Sequence, residues 1–533
     1  MSAQVWPPQL EAAQEQALLD LASDYALAHG LVLRPVASSP SAPLSLTTGI
    51  HAPYSLYPSQ LPRHLFQQAL DLQPAYNELY ARVTADDAFL ERVVGGAVSK
   101  VDEFQGRLYE LWKTVKAEGI KQPLSLGLFR SDYLVHAPEG TDPSQHTIKQ
   151  VEFNTISSSF GALSTRVGDL HRYLLASGAY PPHPSLATSS LPTNSALAGL
   201  AGGLAAAHKA YGADNAVVLM VIQDNERNAF DQRPLEYELV EKHGIRLLRV
   251  PFSQLRTTLS LSSSSHALLY HAPHGASSSS SPLEVSLVYY RTAYAPTDYY
   301  TPAEWHTRLL IERSRAIKCP SVAMQLAGAK KVQQVLASSA ELAHFVPNDT
   351  KRAVLAESFT GLFPLDDSRE GLAALERATS DPSGFVLKPQ REGGGNNIYR
   401  ADIPPFLAQL EDEDRRRGEG AGAGEKHGEG EGEGAPPKGR EGYILMDLIE
   451  PPRGVEQVLV KAGEAHGARA EVVSELGVYG VVLVREDVDG SRGGEAEVLV
   501  NETVGHLLRT KASSSDEGGV AVGFSVIDSP LLV

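Results

Sequence analysis

The sequence predicts an α/β protein with additional α+β elements, and three observations carry that expectation. Between Leu10 and Glu118 apolar residues recur at three- and four-residue spacing, as at Phe104, Leu108 and Leu111, the signature of amphipathic helices. From Ala216 to Phe252 an apolar run, a helical stretch (Pro234–His243) and a second apolar run (Ile245–Val250) follow one another. That alternation is a strand–helix–strand unit with parallel pairing. Further on, the apolar Phe385-Val-Leu delivers Lys388 and opens into three consecutive glycines, Gly393–Gly395.

Length and composition bound the rest. A chain of 533 residues can bury a large core and form two or three domains. Hydrophobic residues make up 42% and charged residues 21%, so the bulk is globular. The net charge of -17 excludes a nucleic-acid surface, which needs a basic stripe, and any anionic ligand must be met by local Arg and Lys clusters. The single cysteine, Cys319, excludes an intramolecular disulfide or multi-cysteine metal site and fits a reducing compartment. It reads as a buried hydrophobe at the end of a helical stretch. Met1–Gly30 lacks the features of a leader, and Gln9–His29 reads as an acidic amphipathic helix. No window approaches the about 18 apolar residues needed to span a bilayer, so the expected location is cytoplasmic, with no membrane partner.

Three stretches read as surface insertions: Ser262–Ser265, Ser277–Ser281 and the Gly/Glu-rich segment Glu411–Arg440. The last holds nine acidic and six basic residues with almost no apolar ones, and is expected to be disordered. Its loose match to a dinucleotide glycine pattern lacks a preceding strand and carries nothing.

Three constellations carry chemistry. In the first, Gly393, Gly394 and Gly395 lack side chains, so their amides can approach phosphate oxygens as a nest. Lys388 adds a charge, Glu392 supplies the hard oxygen that Mg²⁺ prefers, and Asn396 and Asn397 follow. An ordinary glycine-rich turn is the alternative, and the absence of G-x-x-x-x-G-K-[ST] excludes a P-loop enzyme. In the second, strand alternation in Lys149–Asn154 puts Glu152 and Asn154 on one face, as a hard-cation site or as a polar strand edge. In the third, Arg509 and Lys511 lie two apart in an extended run before the small residues Gly518–Gly523, where surface charge beside a loop is the plain alternative. The strand Val285–Tyr290 delivers Arg291 at its carboxyl end, where ligands of open α/β sheets gather.

Together these segments resemble the eukaryotic-type glutathione synthetase family from about Pro53 to Val533. Arg130-Ser-Asp-Tyr133, Glu152–Phe160, Glu226–Arg233 and Lys388–Tyr399 carry the resemblance, with Gln325–Gln334 and His506–Ala512 in support. It implies an ATP-grasp fold, a homodimer, and condensation of γ-glutamylcysteine with glycine as ATP becomes ADP and phosphate. The implied divisions are a helical scaffold with the first part of the ATP-grasp body (1–215), an inserted α/β substrate-binding domain (216–326) and an ATP-grasp and lid region (327–533). In that last region the loops 388–399 and 518–523 act as lids.

Carried over position by position, Glu152, Asn154 and Glu392 become ligands of Mg²⁺. Lys330, Lys388, Gly393–Asn397, Tyr399, Met446, Asp447, Ile449, Glu475, Lys511 and Glu517 line the nucleotide site. Arg130, Ser157, Ser158, Ser159, Glu226, Arg227, Asn228, Gln232, Arg291, Tyr294, Arg509, Val520 and Ala521 take the dipeptide or product, with Arg130 and Arg509 catalytic. Two positions depart from the family pattern. Thr292-Ala293 stands where Asp-Gly is expected, which bears on the flexibility of that loop, and Asp447-Leu448 replaces Glu-Lys after Met446. A ligase for another amine, such as β-alanine or serine, and a non-catalytic ATP-binding relative stay open at this level.

Overall fold

The computed structural model describes residues 6–37, 39, 42, 44–272, 281–391, 395–421, 438–487, 496–516, 518–520 and 523–533. The N-terminal third contains the expected helices, Ala12–Ala28, Arg63–Ala85 and Glu103–Glu118. Asp102 starts the third by accepting from the Gln105 amide at 2.9 Å, and Gly119 ends it in a left-handed conformation. Between the first two helices lie strands of two or three residues, too short to leave a period. Tyr54–Ser55 pairs with Glu456–Val460, and Ser59–Leu61 runs parallel to the C-terminal Pro530–Leu532.

The body is a mixed sheet of 13 strands among the described residues. Its axis is the strand Leu124–His136, antiparallel along one edge to the long strand Gly467–Arg485, which in turn pairs with Glu497–Ala512. Its other edge is shared. The beginning, at Ser125, pairs in parallel with Ile317–Cys319, while Arg130–His136 pairs antiparallel with Thr147–Asn154. Beyond Ile317–Cys319 come Leu283–Tyr290, Val217–Ile222 and Leu247–Pro251, all parallel, as the strand–helix–strand pattern predicts. One sheet therefore runs through the boundaries expected at 216 and 326. The serine run Ser262–Ser265 is the turn between the paired strands Leu259–Leu261 and Leu268–Tyr270. Residues 277–280 lie outside the described ones.

Helices cover both faces. Ala196–Tyr211 approaches closely because Gly199 and Gly203 meet it one turn apart: a Cβ at Gly199 would lie 2.4 Å from Val504 Cβ. A second, four-stranded antiparallel sheet orders Leu362–Phe363, Tyr443–Asp447, Phe385–Pro389 and Ile398–Tyr399. Leu387 and Leu445 on one face pack with Ala374, Ala378, Ile403 and Leu407 from the helices Arg369–Ser380 and Ile403–Ala421. Val386, Ile444 and Met446 alternate to the other face and join the main core. Each fully buried Leu contributes about 1.5–3 kcal/mol to holding this sheet against its helices. Among the described residues no helix is long and apolar enough to cross a membrane.

Two expectations are corrected. Cys319 closes the strand Ile317–Cys319 instead of a helix, and its thiol is pushed up by burial. A three-residue strand followed at once by the helix Val322–Ala327 leaves no period of its own. The stretch from Glu411, expected to be disordered, is helical through Ala421. A helix nucleated by Leu407 and Leu410 extends without an apolar face, helped by the Arg415–Asp412 and Arg417–Asp414 pairs at 3.1 Å. Asp414 also accepts from the Gly439 amide at 2.8 Å, and residues 422–437 lie outside the described ones.

His171, in the helix Gly161–Ala176, ties this helix to the strand Tyr54–Ser55. Its Nε2 faces the Ser55 carbonyl at 2.9 Å, which can only accept, so Nε2 carries the proton and Nδ1 accepts from the Ser529 hydroxyl at 2.6 Å. Burial, reinforced by Arg172, pushes the ring down to about 4 against the Ser55 hydrogen bond. An unfolded histidine titrates near 6.5, so between those values the unfolded chain binds the extra proton. Stability from this residue is complete above about pH 6.5 and lost as pH falls through about 4, by about 3 kcal/mol in all. Urea midpoints measured from pH 7.5 to 4.5 are expected to fall, with a shallower fall in His171→Gln; parallel curves would count against this role.

Candidate active site

The shared edge of the strand Leu124–His136 is where the site forms. Arg130 and Asp132, two residues apart, project to the same face, and the guanidinium grips the carboxylate through Nε at 2.6 Å and a terminal nitrogen at 2.8 Å. Asp132 has no solvent exposure. It also accepts from Asn154 Nδ2 at 2.9 Å and from Arg509 at 3.0 Å. Burial opposes the charge on Arg130, but Asp132 outweighs it and raises its pKa. The neighbouring strand leaves room through Gly477, where a Cβ would lie 2.7 Å from Asp132 Oδ1 and 2.8 Å from Arg130 Cδ.

Around this centre the structure gathers residues spread over nearly 380 positions of sequence. Arg509, on Glu497–Ala512, also bonds Glu475 on the adjacent strand. Burial pushes Glu475 up despite Arg509, with Asp132 and Glu152 adding to the rise. Lys330, at the start of the helix Lys330–Leu336, donates to Glu152 at 3.0 Å. Burial opposes ionisation of Glu152, yet Lys330, Lys388 and Arg509 outweigh it and hold the carboxyl well below its ordinary range. Lys388 arrives from the second sheet and donates to the Val151 carbonyl at 2.8 Å. Burial and the nearby Lys330 bring it down to about 8, with Glu152 resisting. Four cations and three carboxylates thus share one buried cluster.

A second group adjoins the first through Ser159. Its carbonyl accepts from Arg130 at 3.4 Å and from Tyr479 Oη at 2.6 Å, while its hydroxyl accepts from Arg291 at 3.0 Å. Arg291 follows its strand as expected and also pairs with buried Asp231 at 2.9 Å. Asp231 accepts the amides of Phe160 and Ala162 at 2.8 and 3.0 Å, fixing the Ser157–Phe160 turn at the start of the helix Gly161–Ala176. In that turn the buried Ser158 hydroxyl has no hydrogen-bond partner among the described residues. Glu226 receives the Asn228 amide at 2.7 Å and Gln232 at 2.6 Å, and Gln223 donates to Tyr294 Oη at 3.3 Å. Arg227 lies to the side, donating to the Arg34 carbonyl at 3.3 Å. Ala293, where glycine was expected, sits in the left-handed region at φ 69°, with its carbonyl held by Gln325 at 2.9 Å.

A cleft of about 790 Å³ lies between the two sheets, lined by Asp447, Ile449, Lys149, Arg400 and Ser513. Met446 is buried opposite Val386, and Tyr399 pairs with the same residue and accepts from Asn397 at 3.1 Å. Asn396 is exposed beside Gly395, whose φ of 92° needs glycine. Lys511 donates to the Asp516 carbonyl at 2.6 Å, and Val520 is buried. Glu392, Gly393, Gly394, Glu517 and Ala521 lie outside the described residues.

Sequence reasoning gave no role to Asp132, Asp231 or Tyr479. The first two stand inside quoted motifs, where a carboxylate in an apolar strand or first helical turn is the available signal; Tyr479 leaves none. Removing one partner of a buried ion pair strands the other, at a cost of about 3–5 kcal/mol. Asp132→Asn is therefore expected to lower the free energy of unfolding in urea by that order and to displace Arg130 and Arg509. An unchanged midpoint would show that the pair does not hold the site.

Comparison with known proteins accords with this arrangement. The family model described as eukaryotic glutathione synthase, ATP binding domain, matches residues 12–532. The chain is 38% identical to a glutathione synthetase of Mus musculus, covering 98% of this chain and 97% of that one. It is 37% identical to that of Homo sapiens, with 98% and 97% covered, and 36% identical to the glutathione synthetase large chain of Schizosaccharomyces pombe, with 95% and 96% covered. Among solved structures, the apo form of a glutathione synthetase-like effector from Globodera pallida matches with a TM-score of 0.71 at 22% identity, covering 100% of both chains, a likeness of fold. On sequence matches that span nearly the whole chain, this protein belongs to the eukaryotic glutathione synthase family.

Proposed function

We infer that this chain, an ATP-dependent carboxylate–amine ligase by family, joins γ-glutamylcysteine to glycine at the buried cluster around Asp132. The observation that carries the site is the convergence of Arg130, Lys330, Lys388 and Arg509 at the junction of two sheets in a chain of net charge -17. Cations are costly to bury, and their concentration here suits substrates that bring a triphosphate and carboxylates.

The residues fit a magnesium ion. Glu152 is held ionised by its surrounding cations. Asn154 commits its Nδ2 end to Asp132 and the Arg130 carbonyl, which assigns Oδ1 to other partners. With Glu392 they would form the oxygen set such an ion prefers, and the bound ion would offset phosphate charge. Among the described residues no group of three His, Cys, Asp or Glu forms a metal site, so the set depends on Glu392.

The chain's own groups suggest the following steps. Arg291 and the Ser157–Ser159 turn hold the dipeptide, placing its cysteinyl carboxylate toward Arg130. That oxygen attacks the γ-phosphorus and the bond to ADP breaks, a transfer that asks for positioning and charge neutralisation and no protein nucleophile. The amine of glycine then attacks the acyl phosphate carbon, the amine loses a proton and inorganic phosphate leaves. Arg130 and Arg509 would stabilise the oxyanion formed at that carbon, and the loops 388–399 and 518–523 would keep water from it. A homodimer and a cytosolic location belong to the same proposal.

Purified protein is expected to release ADP when magnesium, γ-glutamylcysteine and glycine are all present, and not when any is omitted. Release indifferent to glycine, or none in the full mixture, would sink the ligase reading. Rates with β-alanine and serine in place of glycine test the amine, because a pocket discriminates one methylene by only about 1–3 kcal/mol. Glu392→Ala is expected to abolish turnover with an unchanged unfolding midpoint; near-normal activity would remove Glu392 from the metal set.

A further inference from the structure

Arg400 and Asp516, 116 residues apart, form an ion pair at 2.6 Å. Arg400 directly follows Tyr399, the last residue of the strand Ile398–Tyr399 that closes the glycine-rich segment, and it lines the cleft between the sheets together with Asp447, Ile449 and Ser513. Asp516 ends the turn that leaves the strand Glu497–Ala512, just ahead of Gly518 and Val520. The same aspartate binds from both ends, since its carbonyl takes Lys511 Nζ at 2.6 Å while its carboxylate takes Arg400.

The backbone adds an independent observation. Arg400 has φ 47°, in the left-handed region that residues with a side chain occupy at a cost. Glycine would relieve that strain, and arginine supplies what glycine lacks, a charge that reaches Asp516. A Cβ on Gly518 would lie 3.8 Å from Glu475 Oε2, so the segment fixed by Asp516 borders the central cluster.

We propose that Arg400 and Asp516 are a positioning pair that couples the nucleotide and dipeptide sites, on the reading of the chain as a ligase. The pair fixes the end of the Ile398–Tyr399 strand against the turn that lies between Lys511 and Gly518. A nucleotide that orders the first therefore favours the arrangement of the second, and by linkage the dipeptide tightens the nucleotide to the same extent. Both side chains are about half exposed, 49% and 52%, so the effect is modest and screened by salt.

The test is calorimetric titration of the magnesium complex of AMP-PNP into the full chain, with and without saturating γ-glutamylcysteine. The ratio of the two dissociation constants is the coupling factor. Arg400→Gln and Asp516→Asn are each expected to reduce it about two- to fivefold, the range an exposed ion pair supports. The double variant should lose no more than either single one, the reversed pair R400E/D516R should recover part of the loss, and salt near 1 M should bring the wild type to the variants' value. Thermal midpoints should stay put. Additive losses, an unchanged coupling factor, or a loss that follows the thermal midpoint would overturn the pair's role. If the wild type fails to bind AMP-PNP, the nucleotide reading falls and the pair's role with it. Intact binding with unchanged coupling removes only the pair.

Discussion

Asp132 sits without solvent exposure on the axial strand and accepts hydrogen bonds from two guanidinium groups and one amide. The rest of the site depends on that arrangement because a carboxylate and two arginines are each costly to bury alone. Each of the three partners comes from a different part of the fold: Arg130 from the same strand, Asn154 from one neighbour, and Arg509 from beyond the other. Satisfying Asp132 therefore sets the register of the sheet at the point where its shared edge changes partner. Gly477 is the steric counterpart, since any side chain there would occupy the volume of the ion pair.

Asp231 repeats the device at the Ser157–Phe160 turn. One oxygen takes the Ala162 amide and the other takes the Phe160 amide and the Arg291 guanidinium, so a helix start, a turn and a strand end share one acceptor. Ser159 joins the two aspartate-centred groups by accepting from Arg130, Arg291 and Tyr479. A chain of net charge -17 thereby sets four cations against three carboxylates at one point between its two sheets. An anionic ligand gains from cations that are already fixed, as these are.

Much of this was legible in the sequence, for identifiable reasons. The parallel strands around Val217–Ile222 were readable because a buried parallel strand is a continuous apolar run, and Lys388 because an apolar strand delivers it. Glu152 showed through strand alternation, while Arg509 read as surface charge until the family resemblance singled it out. The strands between Val32 and Leu61, and Ile317–Cys319, were not, because two or three residues hold no period. The helical reach to Ala421 was hidden for a different reason: composition reports what cannot nucleate a helix, whereas this segment only has to continue one. Asp132 and Asp231 were visible as residues and silent as to role, since their partners lie up to 377 positions away and only the sheet register brings them together. The family resemblance supplied the site positions that spacing alone left open.

Backbone strain near Asp231 and Arg291 is held by hydrogen bonds of the same kind. Ser157, Phe160 and Ala293 have φ of 57°, 73° and 69°, left-handed values that cost each residue free energy it must recover elsewhere. The Phe160 amide is held by Asp231, the Ser159 hydroxyl by Arg291, and the Ala293 carbonyl by Gln325, so the strained turns are clamped by two helices and a strand end. Glycine at 293 would be free to leave this conformation as readily as to adopt it. Alanine narrows the states open to the unliganded loop. The departure from the family pattern therefore favours a turn that is set without a ligand.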